Sequence, residues 1–171
     1  MIAPRRHIRP LGAALCLAAL VACARDSEAA QRGRLAGWVS LGQTLSFKAR
    51  RDCAVGLYAV VTGTVKSALP LTDSAPAMRR ALGARGVAAL ALPGQGGDAA
   101  LLAIANHDRA TGMAMRRAAL EARACMNEET EARFRAALDS PGTVVGWDAG
   151  TRSLMLMAPA AGWLMLVAGE G

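Results

Sequence analysis

His107 and Asp108 stand side by side, and His107 is where catalysis would be sought first. A histidine base needs a nucleophile and an orienting carboxylate within hydrogen-bond reach. Adjacent side chains project in different directions, so Asp108 is badly placed to orient His107, and no G-x-S-x-G word supplies a nucleophile. Asp52, Asp98 and Asp148 are dispersed carboxylates that could serve a small hydrolase or glycan-modifying enzyme with His107, provided folding gathers them in one cleft. Gly94-Gln95-Gly96-Gly97-Asp98 reads as a turn that opens a helix. It lacks the Lys-Ser/Thr of a phosphate loop and the spacing of a dinucleotide fingerprint.

Arg50-Arg51, Arg79-Arg80 and Arg116-Arg117 carry forked donors that match phosphate or carboxylate. Converging at the mouth of an apolar cavity they would make a lipid or anion carrier; held apart they are solvated faces. Met155, Met157 and Met165 sit beside leucines, a pattern of core rather than of copper ligation. No His/Cys spacing suits a metal, so no metal and no cofactor is expected, and the missing catalytic set reads as a non-enzymatic protein.

The amino terminus is the most specific stretch of the chain. Arg5, Arg6 and Arg9 precede an apolar run over 11–21, and small residues flank the end of that run. This is the order of a secretory signal, and the run is about half the roughly 20 residues that a bilayer span requires. The closing Leu20-Val21-Ala22-Cys23 resembles the lipobox of bacterial lipoproteins. The resemblance implies cleavage before Cys23, a diacylglycerol on its thiol, and often a third acyl chain on the new amino terminus. Two or more chains anchor a protein stably, since each buried methylene contributes about 0.8 kcal/mol. Ala24, where an aspartate would favour the inner membrane in enteric-type members, leans towards the outer one. The open alternative is an ordinary secreted protein cut near Ala22 or Ala24.

Read this way, the chain divides into a signal peptide over 1–22, a short tether over 23–30 and a single domain over 31–171. The mature part, about 150 residues, suffices for one domain with its own core. Losing Arg5, Arg6 and Arg9 reduces a formal net charge of +7, and what remains is only mildly basic. Arginine far outnumbers lysine beside abundant alanine and glycine, which reflects a GC-rich genome more than contact with nucleic acid. The expected partners are therefore the membrane, through a lipid anchor on the periplasmic side, and an envelope protein; nucleic acid is not among them. The leading expectation is an interaction or assembly module of the cell envelope, ahead of the hydrolase and the carrier.

The same resemblance simplifies the cysteines. Cys16 leaves with the signal and Cys23 is acylated, so Cys53 and Cys125 remain. Two thiols in an oxidising compartment read as one disulfide, the alternative being two separately buried thiols. Helix phase supports the bridge, because Met115, Ala118, Ala122 and Cys125 share one face.

The elements that must position these residues follow from periodicity and turn chemistry. Leu35, Trp38, Leu41 and Leu45 recur at helical spacing, so a helix is predicted there, ending near Gly42. Residues 47–49 and 53–62 read as strands around the turn Arg50-Arg51-Asp52. Asp73-Ser74-Ala75-Pro76 opens a helix that the glycines at 83 and 86 stop, and 87–92 reads as a short buried strand. A long helical region from Asp98 breaks near 106–112, and Asn127 caps a further helix ending at Ser140-Pro141-Gly142. Three strands close the chain over 143–148, 153–158 and 163–168. The apolar run 154–169 could also be read as a membrane segment, but Pro159 and Gly162 interrupt it as a hairpin turn would. The fold class is α+β: a mostly antiparallel sheet with helices packed against it.

Overall fold

Ser27 opens the first element by accepting the Ala30 amide through its hydroxyl, which caps α1 (Glu28–Trp38) in the computed structural model, where residues 24–170 are described. The expectations for residues 1–22 and for Cys23 lie outside that range. Residues 24–30, expected as a tether, already include the cap and first turn of α1.

The helix expected to run on past Trp38 stops there, and β1 (Val39–Ala49) takes its place. This strand pairs antiparallel with β2 (Ala54–Val65), and its register shifts between Val39 and Leu41, Leu41 and Thr44, and Thr44 and Ser46. Each irregularity breaks the strict alternation of a strand. Positions four apart share a face on a strand as they do on a helix, so Leu41 and Leu45 fit either element. Inter-strand pairing outweighed that local pattern.

A two-residue strand, β3 (Leu71–Thr72), lies parallel to β4 (Val87–Leu90) across the helix α2 (Ala75–Arg85), which runs through Gly83 rather than stopping at it. The expected break between helices falls at Asp108. It separates α3 (Gly97–His107) from α4 (Arg109–Ala122), and its carboxylate caps α4 by accepting the Thr111 amide at 3.2 Å and the Thr111 hydroxyl at 2.9 Å. A 3-10 turn, Arg123–Cys125, leads to α5 (Glu128–Asp139). There Asn127 and Thr130 form a reciprocal capping box, and Glu128, Glu129 and Glu131 occupy the positive first turn. The meander β5 (Val144–Asp148), β6 (Ser153–Ala158) and β7 (Trp163–Ala168) completes the chain as predicted. Residues 154–169 thus form the β6–β7 hairpin, and no helix among the described residues is long and apolar enough to cross a membrane.

The seven strands form one sheet in the order β1-β2-β7-β6-β5-β4-β3, antiparallel except for the β3–β4 pair, so the fold class is α+β. Its two faces bury separate clusters. On one, Leu57, Leu90, Trp147, Leu156 and Met165 pack beneath α2 to α5. On the other, Tyr58, Met155, Met157, Leu164 and Leu166 pack against Leu35 of α1 and Leu69. Because both faces are covered, β6 and β7 are buried at every position and read as continuous apolar runs.

Cys53 and Cys125 are joined in a disulfide with their Cα atoms 6.0 Å apart. The bridge ties the start of β2 to the turn after α4 and spans 72 residues of chain. Closing a loop of that length constrains the unfolded chain by about 4 kcal/mol in the chain-entropy model. Cys125→Ala, or reduction of the native protein, is expected to lower the unfolding free energy by about 2–4 kcal/mol. Urea titrations with and without reductant measure this, and coincident midpoints would contradict it.

Candidate functional site

The carboxylates that could have served His107 do not form one cluster. Asp98 lies in the first turn of α3 and His107 in its last, so nine residues at 1.5 Å each hold them about 14 Å apart. Asp52, in the β1–β2 turn, and Asp148, at the end of β5, share one end of the sheet. The strands β7 and β6 lie between β2 and β5, a separation of about 14 Å at ordinary strand spacing. Asp148 is committed to its own turn, accepting the amides of Gly150 and Thr151 and the Thr151 hydroxyl. The Thr111 amide, then its hydroxyl and the Arg79 guanidinium, hold the Asp108 carboxyl below the usual aspartate range, which makes it an ionised helix cap. Among the described residues no group of three His, Cys, Asp or Glu side chains is placed to hold a metal.

Gly94-Gln95-Gly96-Gly97-Asp98 has a packing reason. A Cβ on Gly96 would come within 2.4 Å of the Leu138 carbonyl oxygen, so glycine lets the start of α3 touch the end of α5. The methionines divide between the faces, with Met155 and Met157 in one cluster and Met165 in the other. The arginine pairs sit on three different elements. Arg79 faces Asp108 at 3.8 Å, Arg50 and Arg51 project from the β1–β2 turn, and Arg116 and Arg117 lie on the outer side of α4.

Two arrangements emerge that the sequence reading missed. The first is a polar layer beneath α1. The Tyr58 hydroxyl donates to Gln31 Oε1 at 2.8 Å, with both side chains fully buried. Arg32 stacks its guanidinium 5.8 Å from the Tyr58 ring centroid and donates to Thr44 Oγ1 and the Gly42 carbonyl, while Thr44 donates to Glu28. Gly56 leaves the room this layer needs, since a Cβ there would strike Gln31 Oε1 at 2.2 Å. Burial, then the nearby carboxylates of Glu28 and Asp26, push the Tyr58 hydroxyl well above its ordinary pKa. It is a fixed hydrogen-bond donor and not a proton-transfer group at neutral pH. The chemistry of this layer is fastening.

The second arrangement is at the sheet end where the described chain begins. The Arg25 amide donates to the Arg50 carbonyl, and its guanidinium donates to the carbonyls of Gly169 and of Thr151, the latter at 2.7 Å. Beside these lies a groove of about 650 Å³ along α4, lined by Met113, Arg116, Arg117, Leu120, Glu121 and Arg152. Arg152 adjoins Thr151, and Glu121 lies against Gly169, so the groove and the Arg25 staple form one continuous surface. Met113 and Leu120 are 52% and 65% exposed there, among the few large apolar side chains so open to solvent. Arg152, at φ 53° in the β5–β6 turn, joins Arg116 and Arg117 only through tertiary folding. No motif marked it.

No family model, curated protein or solved structure matches the chain.

Tyr58 is the chain's single tyrosine, so tyrosinate absorbance reports it alone. The native protein is expected to titrate well above the ordinary value of about 10. A raised folded pKa means the native state holds the proton longer, so stability is intact below about pH 10 and falls as pH rises past it. A native-state midpoint at the ordinary value, with the fold intact by circular dichroism, would be incompatible with the buried Gln31 bond.

Proposed function

We propose that this protein is a cell-envelope lipoprotein, held on the periplasmic side by acyl groups on Cys23, whose domain is a non-catalytic interaction or assembly module. The Leu20-Val21-Ala22-Cys23 word carries the reading, set after a basic opening and a short apolar run. The position of Arg25 adds support. Three hydrogen bonds from this residue fasten the chain to the sheet end, so an anchor two residues upstream would hold the domain against the membrane with almost no slack. The separation of Asp98 from His107 and of Asp52 from Asp148 favours binding over catalysis. Ala24 favours the outer membrane.

Metabolic labelling with a fatty-acid analogue tests the anchor. Wild type is expected to incorporate the label and to fractionate with membranes, whereas Cys23→Ser remains unlabelled and at precursor size. Equal labelling of the two proteins would refute the reading.

A further inference from the structure

We infer that the α4 groove and the neighbouring turns form a membrane-facing surface that lies on anionic phospholipid headgroups. The inference rests on the lipid anchor proposed above and adds to it an orientation and a ligand chemistry.

The first support is covalent reach. Cys23 is two residues from Arg25, and consecutive Cα atoms are about 3.8 Å apart, so an acyl-bearing cysteine lies within roughly 8 Å of the staple. Arg25 is bonded to the carbonyls of Arg50, Thr151 and Gly169, which belong to the ends of β1, the β5–β6 turn and β7. The anchor therefore leaves from this end of the sheet, and this end must be the one nearest the bilayer.

The second support is the chemistry found there. Arg50 and Arg51 are exposed on the β1–β2 turn, and Arg116, Arg117 and Arg152 line the groove beside them. Guanidinium forks bind phosphate in two-point fashion and lie comfortably against an interface. The acids on the same end are Asp26, Asp52, Asp148, Glu121 and Glu170; Asp26 is paired with Arg34, so Arg25, Arg50, Arg51, Arg116, Arg117 and Arg152 outnumber the other four carboxylates. Met113 and Leu120 are exposed between the arginines, giving the mixture of apolar and basic side chains that suits the headgroup boundary. Anionic lipid attracts such residues within a Debye length, a distance that the short link from Cys23 guarantees.

The test uses the full acylated protein, purified from membranes and reconstituted into phosphatidylethanolamine vesicles containing phosphatidylglycerol and a nitroxide-headgroup lipid. A fluorophore is placed on Leu120→Cys or, separately, on Val61→Cys. The two positions are similarly exposed, at 65% and 69%. Val61 lies seven residues along β2 from Ala54, about 23 Å from the anchor end. Quenching is expected to be several-fold stronger at 120 than at 61. Because the anchor alone keeps this end near the bilayer, combined Arg116→Glu, Arg117→Glu and Arg152→Glu should lower the quenching at 120 several-fold without raising that at 61, and the corresponding lysine variants should keep the wild-type value, with circular dichroism verifying the fold. Equal quenching at both positions in fatty-acid-labelled protein overturns the orientation and leaves the anchor standing. So does a Leu120 probe that is shielded by a protein cross-link and not by lipid. Absence of the fatty-acid label removes the anchor and this inference with it.

Discussion

A strand has two faces, and one layer of cover hides only one of them. In β6 and β7 every residue is buried, so these strands require a layer on each side. Helices α2 to α5 supply one layer, centred on Trp147, Leu156 and Met165. The other is assembled from α1, Leu69 and the far part of the β1–β2 hairpin, from which Val39, Leu41, Val60 and Val65 pack around Met155, Met157 and Leu166. Each large apolar side chain fully removed from water contributes about 1.5–3 kcal/mol, so neither layer is dispensable to a domain of this size.

The two layers are secured by different means. The helical side is held by apolar interlocking and by the Cys53–Cys125 bridge, which fixes the turn after α4 to the start of β2. The α1 side has a smaller apolar contact and adds polar bonds: Gln31 to Tyr58, Arg32 to Thr44 and Gly42, and the ion pair of Arg34 with Asp26. Buried polar groups cost free energy unless partnered, so these bonds also impose one position on α1. That position places Ser27 and Arg25 at the sheet end, which settles where the preceding residues depart. The exit of the chain beside the arginine-bordered groove is thus a consequence of how the second face is closed.

Several elements were legible because their signals are local. The meander over 144–168 declares itself through Asp148-Ala149-Gly150-Thr151 and through Pro159 and Gly162, and α5 through Asn127 and its acidic first turn. The disulfide was legible by elimination, once the resemblance at Cys23 had reduced the choice of partners, and by the helical phase of Cys125. The strand β1 was misread because the four-residue interval of Leu41 and Leu45 fits a strand and a helix alike. The Gln31–Tyr58 bond gave no warning, since a glutamine on a helix and a tyrosine on a strand are ordinary in both places.

What the sequence determined alone was chemistry that depends on consecutive residues: the turns, the caps and the α+β class. What only the tertiary structure decided was which distant residues meet. Arg25 finds Thr151 and Gly169 across 126 and 144 residues. Arg152 joins Arg116 and Arg117 because β6 passes beneath α4, while helix length keeps Asp98 from His107 and strand spacing keeps Asp52 from Asp148. Periodicity reports which way a side chain faces within its own element. The neighbours it meets there depend on the order of strands in the sheet, which is set by the simultaneous burial of both faces and not by any local word.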